Sequence, residues 1–183
     1  MLREWRRLRR RPASCLVHIL AAAGYAVIGA LQFSARLRRR YPTWHRKSGR
    51  MLVAAGLLVA ISGLWMTLFY TGATGGVLLW SVRVLVGSTM AASIALGVIA
   101  IRRRDIAAHR AWMIRAYALA VGAGTQTLTQ GIGEGVFGTS DLSTALSLGS
   151  AWVVNAAVAE WVIRRPGTRR ARCARTRTAV AGS

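Results

Sequence analysis

A polytopic bundle of transmembrane α-helices, all-α with about five spans, is the fold class this sequence predicts, on three observations. The charge is one-sided, 26 Lys and Arg against 5 Asp and Glu, yet it falls in blocks separated by apolar runs that almost exclude it. The runs are long enough to span, since about 20 apolar residues at 1.5 Å each cross the hydrocarbon core of a bilayer. The remaining segments are short or basic and leave nothing for a soluble domain. A soluble nucleic-acid binder would spread its charge along the chain. Blocked arginines are better explained by membrane topology and anionic lipid head groups, so no nucleic-acid partner is expected.

A basic N-terminal tail occupies residues 1–13, a transmembrane domain residues 14–165, and a basic, polar C-terminal tail, expected to be disordered, residues 166–183. The first run, 14–35, follows a basic start like that of a secretory signal. Its apolar stretch is too long for one, and Phe33-Ser34-Ala35 sets a bulky residue where cleavage needs a small one, so it reads as a retained helix. The second and third runs, 51–70 and 77–101, are separated by a short Gly-rich gap and are therefore antiparallel neighbours. Arg83 lies early in the third run and, with Trp80, reads as an anchor at the outer interface of a helix starting near Val84. The fourth and fifth runs cover 111–132 and 142–163. Cys15 and Cys173 fall on opposite sides in this scheme, so no disulfide is expected, and no metal site is expected.

Orientation follows from the arginines. One side carries residues 36–50, residues 102–110 and the tail after residue 163, with seven, four and seven Lys/Arg; the other side carries six, all in the N-terminal tail. The positive-inside rule places the richer side in the cytoplasm, with the N-terminus out and the C-terminus in, in a bacterial inner membrane. Keeping the N-terminal tail inside would instead make the first run a re-entrant or surface segment and leave four spans.

Both basic connections carry one pattern. Arg38-Arg39-Arg40, four residues and His45-Arg46 recur as Arg102-Arg103-Arg104, four residues and His109-Arg110, an offset of 64 residues. A helical hairpin duplicated in the same orientation would bring His45 and His109 to equivalent positions near the inner surface, at the repeat interface where ligand sites of such folds often lie. The plainer reading is two ordinary topogenic arginine clusters.

The segments HILAAAGYAVIGALQFSARLRRRYPTWHRKSGR, RRRDIAAHRAWMIRAYAL and WVVNAAVAEWVIR resemble the DUF2306 family of uncharacterised bacterial integral membrane proteins. The resemblance rests on His18, Gln32-Phe33, His45-Arg46 with Gly49-Arg50, His109-Arg110 with Trp112-Met113, Arg115 and Tyr117-Ala118, and Asn155 with Ala159-Glu160, and runs from about residue 17 to 165. It implies a membrane location and a helical fold, and no established activity.

Residue by residue, His109 begins a stripe through Trp112, Met113, Ala116, Tyr117, Ala120 and Gly124, whose small residues suit close helix packing. Ala22, Ala26 and Ala30 form a second small ladder that could pack on it or drive homo-oligomerisation. His18, near the outer side, reads as an interfacial histidine bonded to the backbone, or else as a partner of Glu134 or Gln130. Arg115, one turn inside the fourth run, can reach back to the inner surface along its long stem, the commoner fate, or pair with Glu160, since intramembrane charges are costly alone. Asn155 suits an interhelical hydrogen bond. Gln126 and Gln130, with Thr125, Thr127 and Thr129, make half of the fourth span unusually polar. No nucleophile–base–acid set, phosphate loop or carboxylate pair is present, so the sequence does not support ordinary hydrolytic chemistry and shows no recognisable catalytic constellation.

Three functional readings result. The first is a cytoplasm-facing cluster of His45, Arg46, Arg50, His109, Arg110, Arg115, Asn155 and Glu160 that binds an anionic lipid head group or small ligand. The second is a b-type haem electron-transfer protein with His45 and His109 as axial ligands and arginines on the propionates. The third is a transporter or channel component using the polar face of the fourth span.

Overall fold

The structure, a computed structural model, describes residues 2–69 and 75–165, with side chains from residue 15 onward. Every described element is helical: α1 (Leu2–Gln32), α2 (Ala35–Arg40), α3 (Pro42–Phe69), α4 (Gly76–Arg102), α5 (Ile106–Phe137) and α6 (Asp141–Arg164). The C-terminal tail, Cys173 and most of the gap between the second and third runs lie outside the described residues.

The long helices alternate in direction. His18 meets Ser62, Tyr25 meets Gly56 and Gln32 meets Ser48, so α1 and α3 run antiparallel. Gly87 lies under Leu64 and Gly56 under Ile94, which reverses the chain again into α4. Gly97 abuts Trp112 and Met113 of α5, and Trp152 of α6 donates its indole N–H to the Leu119 carbonyl at 3.2 Å. One end of the bundle thus gathers the C-termini of α1, α4 and α6 with the N-termini of α3 and α5, and every basic cluster of the described side chains. The other end gathers the C-termini of α3 and α5 with the N-termini of α4 and α6.

The helices run past the expected spans, for local reasons. Residues 36–50 are not an open loop. Ser34 caps α2 by accepting from the Leu37 N–H at 3.3 Å, and Pro42, lacking an N–H of its own, opens α3 at its first position. Asp105 caps α5 by accepting from the Ala108 N–H at 2.9 Å. Between them α4 closes in a Schellman pattern, with Arg104 left-handed at φ 62 and Asp105 N–H on the Ala100 carbonyl. At the opposite end α4 starts at Gly76 rather than near Val84. Gly75 supplies a left-handed φ of 96, and its N–H bonds the Asp141 carboxylate at 3.3 Å. Arg83 is therefore two turns inside α4, half-buried, while Trp80 donates to the Thr67 carbonyl at 3.1 Å.

Among the described residues, four segments are long and apolar enough to cross a membrane: Cys15–Gln32, Pro42–Phe69, Gly76–Arg102 and Asp141–Arg164. The first run is among them. The fourth expected span, 111–132, falls on α5, which is long enough at 32 residues but outside that set. Its polar half explains the difference, and so does its position: α4 and α6 flank it and α1 touches it near the basic end. A helix whose polar groups bond its neighbours does not have to be apolar all round. Large aliphatic and aromatic side chains such as Leu20, Val27, Ile61, Leu85, Leu128 and Val153 point outward, as a lipid-facing surface requires. The interior is built of Tyr25, Leu52, Val59, Ala60, Met90, Ile94 and Ala116. The protein is an all-α, multi-pass membrane bundle.

Candidate functional site

The basic end carries two histidines in matching positions. His45 is the fourth residue of α3 and His109 the fourth of α5. Each sends its backbone N–H to the residue preceding its helix, Tyr41 at 3.1 Å and Asp105 at 3.0 Å. The 64-residue offset of the sequence is thus an offset between equivalent helix starts. The two rings are electrostatic neighbours, and the Arg38 guanidinium also acts on His45.

Their side chains are used differently. His109 Nδ1 lies 2.8 Å from the Gly97 carbonyl. A carbonyl only accepts, so Nδ1 carries a proton and donates it, which leaves Nε2 outside this bond. By the same offset the counterpart of Gly97 is Phe33, but α1 stops at Gln32 whereas α4 runs on to Arg102. The first hairpin has no such tether. His45 Nδ1 is buried and has no hydrogen-bond partner.

Gln32 completes this knot. Its Nε2 donates to the Ser48 hydroxyl at 2.7 Å and to the carbonyl of His45 at 3.2 Å. Ser48 donates in turn to the Trp44 carbonyl at 2.6 Å, so it must accept from Gln32, which fixes the orientation of the amide. Gln32 Oε1 is then left buried without a partner, as are His45 Nδ1 and, elsewhere in the bundle, the hydroxyls of Ser93 and Ser143. Gln32 entered the sequence reading only as part of the family resemblance. Its local signal is a lone amide at the end of an apolar run, thirteen residues before a histidine.

Arg46, Arg50 and Arg110 are exposed around this end and make no side-chain hydrogen bond or ion pair among the described residues. Arg115, Glu160 and Asn155 belong to a different group, which joins α5 to α6. Arg115 Nε donates to Glu160 at 2.6 Å and its guanidinium lies 4.7 Å from the Trp112 ring centroid; Arg164 adds a 3.5 Å contact to the same carboxylate. Asn155 donates to the Thr125 hydroxyl at 2.9 Å and to the Ala151 carbonyl at 3.0 Å. No bond connects these residues to the histidine knot.

Other candidates lie apart. His18 Nδ1 sits 2.8 Å from Ser62 Oγ, toward the Gly-rich end. Ser62 gives its own proton to the Leu58 carbonyl at 2.6 Å, so the imidazole is the donor. Glu134 is bonded instead to Gln130, at 2.8 Å. Gln126 donates to the Leu148 carbonyl at 3.3 Å, so two of the polar residues of α5 are engaged in fastening helices or each other. Of the small ladders, Ala116 is fully buried and Ala120 packs on the core, but Gly124 meets nothing; Ala22 packs inward and Ala30 faces out. The close approach to α1 is made at Gly29, under the ring of Tyr117, whose hydroxyl donates to the Ala26 carbonyl at 2.9 Å. No group of three or more His, Cys, Asp and Glu that could hold a metal occurs among the described residues.

A family model described as "Predicted membrane protein (DUF2306)" matches residues 15–163, and the chain belongs to that family. No curated protein and no solved structure matches it.

Proposed function

We propose that this DUF2306 protein binds a small anionic ligand at its basic end, in the knot of Gln32, His45 and His109, with Arg46, Arg50 and Arg110 supplying a positive field. The observation that carries the reading is the pair of buried, unpartnered atoms, His45 Nδ1 and Gln32 Oε1. Leaving a buried polar group unsatisfied costs about 1–3 kcal/mol, so two in one knot suggest atoms kept free for a ligand. The neighbouring Arg38 and the basic rim disfavour a metal cation and favour an anion. Hydrogen phosphate has the matching chemistry, with an oxygen to accept from a His45 N–H and a P–OH to donate to Gln32. Arg115, Asn155 and Glu160 take a structural part in this reading.

The test is thermal unfolding in mild detergent with increasing inorganic phosphate, at ionic strength held constant with chloride. The melting temperature of the wild type is expected to rise, since a ligand at about 100 times its Kd adds roughly 2.7 kcal/mol. His45→Phe is expected to lose that rise. A phosphate response that is absent in the wild type, or unchanged in His45→Phe, removes the reading.

One observation favours haem as a second reading. A histidine whose Nδ1–H is held by a backbone carbonyl presents Nε2 as metal-ligating histidines do. His109 has that arrangement and His45 is its neighbour, so the two could serve as axial ligands with the arginines on the propionates. A visible spectrum after haem-replete expression decides it: no Soret band ends the reading. A transport path along α5 has less support, because Gln126 and Gln130 are bonded within the protein.

The arginine distribution supports placing the basic end in the cytoplasm of a bacterial cell, with five spans, the N-terminus out and the C-terminus in. Reporter fusions at the N-terminus and after residue 163 would then read opposite sides, and the same side for both would contradict it.

A further inference from the structure

We propose that α2 is a lipid-docking element, holding the phosphate of an anionic phospholipid between Arg36, Arg39 and Arg40. This inference does not rest on the reading of the histidine knot, and it uses different residues. Ala35, Arg36, Arg39 and Arg40 line an open cleft of about 610 Å³. Positions i, i+3 and i+4 of a helix share a face, which is why these three arginines line one cleft while Arg38 acts on His45. Leu37 is the one residue of α2 that is half-buried, and it seats the helix on the bundle.

The exposed arginine face of this open cleft has the chemistry of an anion site. Arg40 is oriented by its neighbour: its Nε donates to the Tyr41 hydroxyl at 3.2 Å and its guanidinium lies 5.8 Å from the ring centroid. The ion pairs of the described residues all involve Glu160, so no carboxylate among them neutralises the three arginines. Their mutual repulsion is relieved by an anion, and a guanidinium fork suits phosphate oxygens.

The surroundings point to a lipid rather than a soluble anion. The element sits directly after the apolar segment that ends at Gln32. Phe33, Tyr41 and Trp44 flank it, exposed by 40%, 50% and 36%. Exposed aromatics at the end of a span mark the head-group level, where a lipid phosphate lies while its chains stay in the hydrocarbon. A cluster of arginines at that depth attracts anionic lipid with about fivefold in affinity per residue.

Native mass spectrometry of the full chain, released from detergent in the presence of equal phosphatidylglycerol and phosphatidylcholine, tests this. The wild type is expected to retain phosphatidylglycerol preferentially. The triple variant Arg36→Gln, Arg39→Gln, Arg40→Gln is expected to lose that preference, with affinity falling on the order of 100-fold. A control with Arg102, Arg103 and Arg104 changed to Gln removes the same charge from the same end and is expected to keep it, as is His45→Phe. The single variant Arg39→Gln, with a partial loss, covers the case in which the triple variant folds poorly. Equal retention of the two lipids by the wild type, equal loss in both triple variants, or displacement of the lipid by inorganic phosphate at comparable concentration would each overturn the proposal.

Discussion

Replacing Gly56 with valine is expected to destabilise the bundle by about 1–3 kcal/mol, the usual cost of forcing extra carbon into a filled interior. A Cβ at Gly56 would stand 2.6 Å from Tyr25 Cε2 and 2.8 Å from Ile94 Cδ1. Both neighbours are themselves buried, at 5% and 1% exposure, so neither can swing into open space. Here α3 takes side chains from both α1 and α4 against its backbone, and lipid-embedded helices depend on such contacts because burial away from water no longer drives their association. Unfolding in mild detergent measures the effect. Gly24→Val is the control: apart from the adjacent backbone of its own helix nothing lies within 4 Å of its Cβ position, and the change is expected to stay within about 0.5 kcal/mol.

Glu160→Ala is expected to cost on the order of 1–2 kcal/mol, because it leaves Arg115 without its carboxylate. Losing one partner of a fully buried pair costs about 3–5 kcal/mol, but these side chains are about one-third exposed, at 31% and 34%, which lowers the figure. The stacking of Arg115 on Trp112 remains and softens it further. The double variant Arg115→Leu, Glu160→Ala is expected to recover part of the loss, since it strands no charge. A double variant less stable than Glu160→Ala alone would show that Arg115 contributes mainly through packing.

The pairing of Arg115 with Glu160 was legible in the sequence because two opposite charges in apolar runs have few other options. The helices were legible from their apolar length, and the matching of His45 with His109 from a repeat that needed no alignment to see. The beginnings of α3 and α5 were not. Arginine-rich stretches read as loops, while a proline at position 42 and an aspartate at 105 set helix starts through local geometry that hydropathy ignores. The polar half of α5 was the hardest part. Gln126 and Thr125 bond Leu148 and Asn155 across more than twenty residues of chain, and such pairings are fixed by packing, not by any local pattern. The unequal use of the two histidines was invisible for the same kind of reason. It depends on where α1 and α4 end, which decides whether a carbonyl is presented to the ring.

The two histidines differ in their bonding, since His109 Nδ1 is held by the Gly97 carbonyl while His45 Nδ1 is buried without a partner, and the proposed ligand site rests on that difference. Sites held ready for a ligand are maintained at the expense of stability, so removing the free group should not weaken the fold. The direct measurement is the unfolding midpoint of His45→Leu and His109→Leu in detergent without added ligand. His109→Leu is expected to lose about 0.5–1.5 kcal/mol, the worth of its bond to Gly97. His45→Leu is expected to be neutral or more stable than the wild type, by up to about 1 kcal/mol, because it removes a buried atom with no partner. Equal destabilisation by the two substitutions, or a greater loss for His45→Leu, would contradict the account.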